Sequence, residues 1–99
     1  MSNFNADQVR RAAVVAGAAG VPIAANQIMF NLLDYNSPAL RACVTACREL
    51  GITVVAYAPL GQGLLCDNLT DDKFAKVRLR QMTGVKRGDL EPLRSTIKG

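Results

Sequence analysis

The chain has 99 residues, of which 49% are apolar, and a formal net charge of +4. This length holds one small domain at most, and the apolar share is well above that of disordered proteins. No apolar run approaches the ~20 residues of a membrane-spanning helix, and the first residues lack the pattern of a signal peptide. We therefore expect a soluble protein that does not enter a membrane. The three cysteines, an odd number at no metal-like spacing, favour a reducing compartment, and the sequence does not decide between the cytoplasm and the plastid stroma.

The basic residues concentrate in the second part of the chain. Residues 1–65 carry four basic and three acidic side chains, whereas residues 66–99 carry eight basic and five acidic ones. A basic segment can bind nucleic acid. Here, however, acidic residues are interleaved with the basic ones, and Phe74 is the only aromatic residue of the tail. The tail predicts a solvated mixed-charge surface, and nucleic-acid binding through residues 73–98 remains a less favoured alternative.

A helix and a strand are predicted at the start of the chain. Asn5 and Gln8 form a capping-box pattern, and small apolar residues follow at helical spacing. Pro22 cannot continue a helix, so the helix is expected to end before it. Residues 23–28 then predict a short buried strand with a polar end at Asn26-Gln27, typical of a parallel strand whose tip meets a ligand.

A second helix and strand follow. Ser37 is an expected N-cap with Pro38 at the first helical position, and Gly51 stops the apolar stripe of this helix. Residues 52–57 form a continuous β-branched strand, and residues 59–63 break regular structure. Strands joined by a crossover helix pair in parallel. Because two parallel strands cannot bury their own surfaces, the pattern indicates a piece of a larger α/β fold.

Three further predictions concern the cysteines and the tail. Cys43 and Cys47 lie on one helix face and, like Cys66, are expected to be small buried residues rather than metal ligands or a redox pair. Residues 66–88 predict a loop or a partly helical insertion. After them an apolar stripe predicts another helix, in which Pro92 is tolerable only in the first turn.

Polar and small residues cluster where ligand-binding edges of parallel α/β folds are built. They occupy residues 2–5, Asn26-Gln27 and residues 57–63. Ser, Asn and Gln side chains can pair with a carboxamide, Tyr offers a flat face, and a glycine-rich loop lets backbone N–H groups approach phosphates. Gly61-Gln62-Gly63 is not the GxGxxG fingerprint, however. These residues alone predict an α/β fragment with a ligand-facing edge.

Several stretches together resemble successive signatures of the aldo-keto reductases, most closely the bacterial and plant plastid-type members. They are Ser2-Asn3-Phe4, Ala25-Asn26-Gln27 with Phe30-Asn31-Leu32-Leu33, and residues 51–65. Order and spacing agree over residues 2–65, and the tail is similar only around residues 90–93. The resemblance implies a (β/α)8 TIM barrel that transfers a hydride from NADPH to an aldehyde or ketone. Residues 1–65 would be the cofactor-side part of that barrel, and residues 66–99 a polar basic loop and the start of a helix.

The resemblance also implies roles for individual residues. Ser2, Asn3 and Gln27 would hydrogen-bond the nicotinamide carboxamide, and Tyr57 would stack against the nicotinamide ring. The pyrophosphate would lie along a loop made of Ala58, Pro59, Leu60, Gly61, Gln62 and Gly63. All of these residues position the cofactor, and none makes or breaks a bond.

The chain departs from the family pattern in two ways. Ala58 stands where most members have Ser, Met29 where Glu is common, and Cys66-Asp67-Asn68 where Thr-Gly-Lys is usual. In addition, the catalytic Tyr, Lys, Asp and His of the family are implied to lie earlier in the barrel, so no catalytic residue is assigned here. We expect a fragment without turnover of its own. The alternative is a non-catalytic module that binds a dinucleotide, or that associates with itself or with a reductase through exposed helix faces.

Overall fold

The computed structural model describes residues 1–66, 70–72, 74–76 and 87–98. The chain forms two compact units, Met1–Pro59 and Leu60–Gly99. The first unit contains helix α1 (Ala6–Ala18), strand β1 (Ala25–Met29), helix α2 (Pro38–Glu49) and strand β2 (Thr53–Tyr57). This order confirms the predicted alternation of helices and strands. None of the helices in the described part of the chain has the length and apolar character needed to cross a bilayer.

Helix α1 begins with the predicted capping box. The Gln8 N–H donates to Asn5 Oδ1 at 2.9 Å, and the Asn5 N–H donates to Gln8 Oε1 at 3.0 Å. Two otherwise unpaired N–H groups are thereby satisfied, which fixes where the helix starts. The helix ends at Ala18, and Gly20 then adopts a left-handed φ of 68° that turns the chain towards β1.

Helix α2 likewise begins and ends where its sequence predicts. Ser37 Oγ accepts a hydrogen bond from the Leu40 N–H at 3.4 Å, and Pro38 occupies the first helical position. Gly51, at φ 67°, turns the chain into β2. Helix α2 packs against both α1 and β2, so its cysteine-bearing face points into the core.

The two strands pair in parallel, with Ala25 opposite Thr53 and Met29 opposite Tyr57. The first residues of the chain pair with the other edge of β1. There the Gln27 N–H donates to the Met1 carbonyl at 2.9 Å, and the Asn3 N–H donates to the Gln27 carbonyl at 2.7 Å. Strand β1 is therefore bonded on both edges.

The position of Asn26-Gln27 corrects one prediction. The pair was expected at the end of a strand over residues 23–28, but β1 runs from Ala25 to Met29 and the pair lies in its middle. The reason is that β1 continues to pair with β2 past Gln27, with Ile28 opposite Ala56 and Met29 opposite Tyr57. In addition, the Asn26 carboxamide finds partners inside the core and does not need solvent or a ligand.

The two faces of this sheet differ because side chains alternate along a strand. Asn26 and Ile28 point into a core shared with both helices, completed by Val9, Cys43, Ala46, Cys47 and Ile52. The opposite face carries Gln27 and Met29 from β1, together with Val55 and Tyr57 from β2. Val55 is 42% exposed and Gln27 is exposed. The face that carries the predicted site residues is thus not the face that holds the core together.

The second unit contains a 3-10 turn at Gly61–Gly63, helical residues at 71–72 and 74–76, and helix α3 (Arg87–Lys98). The turn occupies part of the segment predicted to break regular structure. Most of the predicted insertion at 66–88 lies outside the described residues. Pro92 lies in the second turn of α3 rather than the expected first. A proline there removes one helical N–H, while the Ser95 and Thr96 hydroxyls both donate to the Pro92 carbonyl, at 2.8 and 2.9 Å.

Candidate functional site

The residues that precede α1 run alongside β1. Ser2 forms a parallel bridge with Gln27, and Asn3 adopts a left-handed φ of 56°. Asparagine tolerates this conformation better than other non-glycine residues because its short amide can bond locally. The turn at Asn3 redirects the chain from the sheet edge into α1.

Asn3 and Tyr57 are directly bonded. The Tyr57 hydroxyl, at the end of β2, donates to Asn3 Oδ1 at 2.9 Å. Because β1 lies between β2 and the segment that contains Asn3, this bond spans β1. Tyr57 and Gln27 share the same face of the sheet, since Met29 is the partner of Tyr57 in the parallel register. Residues from three separate parts of the sequence are therefore brought together on this face: Ser2, Asn3, Gln27 and Tyr57.

Several polar groups of this cluster have no hydrogen-bond partner in the described part of the chain. Among residues 1–66 and the other described segments, the Ser2 hydroxyl, the Asn3 Nδ2 group and the Gln27 carboxamide make no hydrogen bond. These groups offer both donors and acceptors, which is what a carboxamide ligand requires. They are exposed, so their hydrogen-bonding capacity is available to a ligand.

A buried polar network lies behind this cluster, on the core face of β1. Asn26 is fully buried. Its Nδ2 donates to the Phe4 carbonyl at 3.0 Å, and its Oδ1 accepts from the Phe4 N–H at 3.4 Å. The Cys43 Sγ donates to the same carbonyl at 3.1 Å. Asn26 was predicted, together with Gln27, at a ligand-facing strand tip, and the structure corrects this, because the Asn26 side chain is buried and bonded to Phe4. A polar residue within an apolar strand was the signal that could have indicated this structural role.

Burial of Cys43 and Cys47 agrees with the prediction, whereas Cys66 is only partly buried. All three are free, with Cys43 and Cys47 buried. Burial raises the pKa of the Cys43 thiol above its ordinary value of 9.0, and the neighbouring Cys47 raises it further, while the hydrogen bond from Asn26 lowers it. Cys43 is thus a neutral thiol in the core. Within the described segments, no three His, Cys, Asp or Glu side chains are grouped closely enough to hold a metal ion.

The predicted pyrophosphate loop is divided between the two units. Ala58 and Pro59 close the first unit, and Ala58 has a left-handed φ of 50°. Leu60 to Gly63 belong to the second unit, where the Gly63 and Leu64 N–H groups donate to the Leu60 and Gly61 carbonyls at 3.1 and 3.2 Å. These two N–H groups are already used within the turn. A phosphate-binding role for Ala58 to Gly63 stays a prediction.

Comparison with known proteins shows that this chain is similar to proteins of one family. The model of the "Aldo/keto reductase family" matches residues 1–93. "Aldo-keto reductase str7" from Strobilurus tenacellus is 46% identical over 67 residues, which is 66% of this chain and 18% of that protein. "Aldo-keto reductase yakc [NADP(+)]" from Schizosaccharomyces pombe is 39% identical over 67 residues, with the same two shares.

A third relative is the chloroplastic "Pyridoxal reductase" from Arabidopsis thaliana, 32% identical over 74 residues, or 75% of this chain and 20% of that protein. The chain thus spans about a fifth of the length of these relatives. No solved structure gives a significant match.

Proposed function

We propose, because this chain belongs to the aldo/keto reductase family, that residues 1–59 form the nicotinamide half of the cofactor site of a family barrel. The family fold is a (β/α)8 barrel, and α1, β1, α2 and β2 are two of its helix–strand units. The observation that carries the proposal is the Tyr57–Asn3 hydrogen bond, which spans β1 and fixes an aromatic ring beside unpaired carboxamide-binding groups. The NADP(+) in the name of the S. pombe relative favours NADPH as the dinucleotide.

The roles follow from the chemistry of the side chains. Gln27 and Ser2 would hydrogen-bond the nicotinamide carboxamide, and the Asn3 Nδ2 group would add a donor while its Oδ1 holds Tyr57. The Tyr57 ring would lie against the nicotinamide ring and select the face that is presented to a substrate. The bound cofactor supplies the hydride, and these residues orient it.

The reaction of the whole protein is proposed to be reduction of an aldehyde or ketone by NADPH. The chain itself contributes binding and orientation. None of its predicted site residues is an acid or base for the carbonyl oxygen, since Tyr57, the only phenol among them, is bonded to Asn3. We therefore expect this chain alone to bind the dinucleotide and to show no turnover.

A thermal denaturation experiment tests the proposal. A ligand that binds only the folded form adds about 2.7 kcal/mol of stability at a hundredfold excess over its dissociation constant, so NADPH should raise the Tm. Tyr57→Ala should remove most of this rise. Tyr35→Ala is the matched control, because Tyr35 is the other tyrosine of the chain, is 57% exposed and contacts Phe30 rather than the site. An NADPH effect that is absent, or that Tyr57→Ala leaves intact, would contradict the proposal.

A second candidate function is docking onto another copy or onto a reductase. The observation that favours it is an exposed apolar strip on α1, where Val14 and Val15 are 74% and 72% exposed. A surface groove of about 320 Å³ runs beside Val15 and is also lined by Phe4, Gln8, Arg11 and Ala12. Unpaired apolar strips of this kind mark association surfaces. Size-exclusion chromatography should then show a concentration-dependent dimer that Val15→Glu dissociates, and a monomer at all concentrations would exclude self-association.

A further inference from the structure

The Asn26 side chain bonds to the Phe4 backbone as the backbone of a neighbouring strand would. Its carboxamide donates to the Phe4 carbonyl and accepts from the Phe4 N–H, at 3.0 and 3.4 Å. One side chain thus supplies both the donor and the acceptor that a backbone partner would supply. Phe4 directly follows Asn3, so this pairing fixes the chain one residue beyond a site residue.

The Asn26 side chain that forms this pairing is fully buried, so breaking the pairing is costly. A buried carboxamide is costly unless its groups are bonded, so opening either bond would leave an unsatisfied polar group. The Asn26 Nδ2 also lies 3.5 Å from the Cys43 Sγ, and Cys43 donates to the same Phe4 carbonyl at 3.1 Å. Helix α2 therefore supports the pairing from the side opposite to the candidate site.

Asn3 needs such support because its backbone is left-handed. A residue with φ 56° holds that conformation only when its surroundings determine it. Asn3 is held on one side by its own N–H, which donates to the Gln27 carbonyl at 2.7 Å. On the other side, the network of Asn26 and Cys43 holds the backbone of Phe4, whose side chain packs against the core. The capping box of α1 follows at Asn5.

We propose that Asn26 is the positioning residue of the nicotinamide half-site, because its pairing with Phe4 sets the turn that presents Asn3 to Tyr57 and to the cofactor. The cofactor part of this inference rests on the proposed function, whereas the part about the turn does not. Gln27, the next residue, contacts the ligand from the exposed face, so adjacent residues of β1 serve the same site from opposite faces of the sheet.

The substitution Asn26→Val distinguishes a positioning role of Asn26 from a role in stability alone. Valine at position 26 favours a strand and avoids the desolvation of a carboxamide. If Asn26 acted only on stability, Asn26→Val would change the protection of all amides together. If Asn26 positions the turn, Asn26→Val should leave the core folded and loosen Asn3 selectively.

Amide hydrogen exchange of the whole chain, measured by NMR, separates these two roles of Asn26. We expect the Asn3 N–H to exchange roughly tenfold faster relative to the Val9 N–H of α1 in both Asn26→Ala and Asn26→Val, as the loss of a buried hydrogen bond implies. Ile28→Ala is the matched control, because Ile28 is buried on the same face of β1 and has no bond to Phe4. Ile28→Ala should speed up the exchange of both the Asn3 and the Val9 N–H groups and leave the ratio of their exchange rates unchanged.

The same variants are then titrated with NADPH by nicotinamide fluorescence. We expect Asn26→Val to weaken binding roughly tenfold, the equivalent of one lost hydrogen bond, and Ile28→Ala to bind as the wild type does. An unchanged exchange ratio in folded Asn26→Val would overturn the inference. So would unfolding of both Asn26 variants under conditions where Ile28→Ala stays folded, because Asn26 would then be a general stability determinant. Selective loosening of Asn3 in a chain whose wild type does not bind NADPH would support the role of Asn26 in the turn and overturn the proposed function instead.

Discussion

Because the backbone of Ala58 is left-handed, we expect Ala58→Gly to stabilise the folded chain and Ala56→Gly, two residues earlier, to destabilise it. Ala58 has φ 50°, a conformation that costs an L-residue about 1–2 kcal/mol and costs glycine nothing. Glycine in turn loses about 0.5–1 kcal/mol more backbone entropy on folding than alanine does. Ala58→Gly should therefore raise the free energy of unfolding by between about zero and 1.5 kcal/mol.

Ala56 provides the internal control. It is exposed, lies in β2 two residues earlier and has no left-handed backbone, so Ala56→Gly should cost about 0.5–1 kcal/mol. The entropy of the unfolded chain contributes equally to both variants, and the difference between them isolates the strain at Ala58, about 1–2 kcal/mol. For a chain of this size each kcal/mol moves the Tm by roughly 4–8 °C, which circular dichroism resolves easily. Equal destabilisation by the two glycines would refute the reasoning, since no backbone strain would then be relieved at Ala58.

Three further predictions concern the core, the site and the buried thiol. Ile28→Ala should lower the free energy of unfolding by about 2–5 kcal/mol in a urea titration, whereas Leu50→Ala, at a position 44% exposed, should stay within about 0.5 kcal/mol. A double-mutant cycle of Tyr57→Phe and Asn3→Ala should give a coupling of about 0.5–1 kcal/mol, since the bond is neutral and exposed; zero coupling would mean that it does not persist in solution. Because the pKa of Cys43 is raised in the folded state, the folded chain keeps a proton that the unfolded chain has lost, so stability should fall as the pH rises above 9.0 towards the folded pKa. Cys43→Ala should flatten that fall, and an unchanged slope would show that other groups cause it.

The local elements of the first unit could be predicted from the sequence because their signals are local. The capping box at Asn5, the N-cap at Ser37 and the glycine at position 51 each act within one turn of the chain, and the structure bears out each of them. The parallel pairing of β1 and β2 followed from the crossover helix between them. A common edge for Asn3, Gln27 and Tyr57 was expected from the rule that parallel α/β folds build sites there, whereas their individual roles were implied only by a family resemblance.

The missed features all depend on contacts between distant residues. Asn26 looked like the polar tip of a strand, because neither its periodicity nor its type reveals that Phe4 would meet its carboxamide inside the core. The left-handed Ala58 could not be predicted either, since alanine is an unfavourable residue for that backbone and only the surrounding structure can impose it.

The long sequence separation of the contacts in the half-site has a consequence for synthesis. Asn3 and Tyr57 are 54 positions apart, and Phe4 and Asn26 are 22 apart. Contacts of this kind form late, because the intervening loop must be closed before they contribute any energy. At ~5–20 residues per second, the ribosome needs roughly 3–11 s to make the chain between Asn3 and Tyr57. During that interval α1 can form while its turn at Asn3 lacks Tyr57, so the half-site is completed only after β2 has left the ribosome. A dinucleotide that recognises the finished half-site would then bind only chains whose first unit has been fully made.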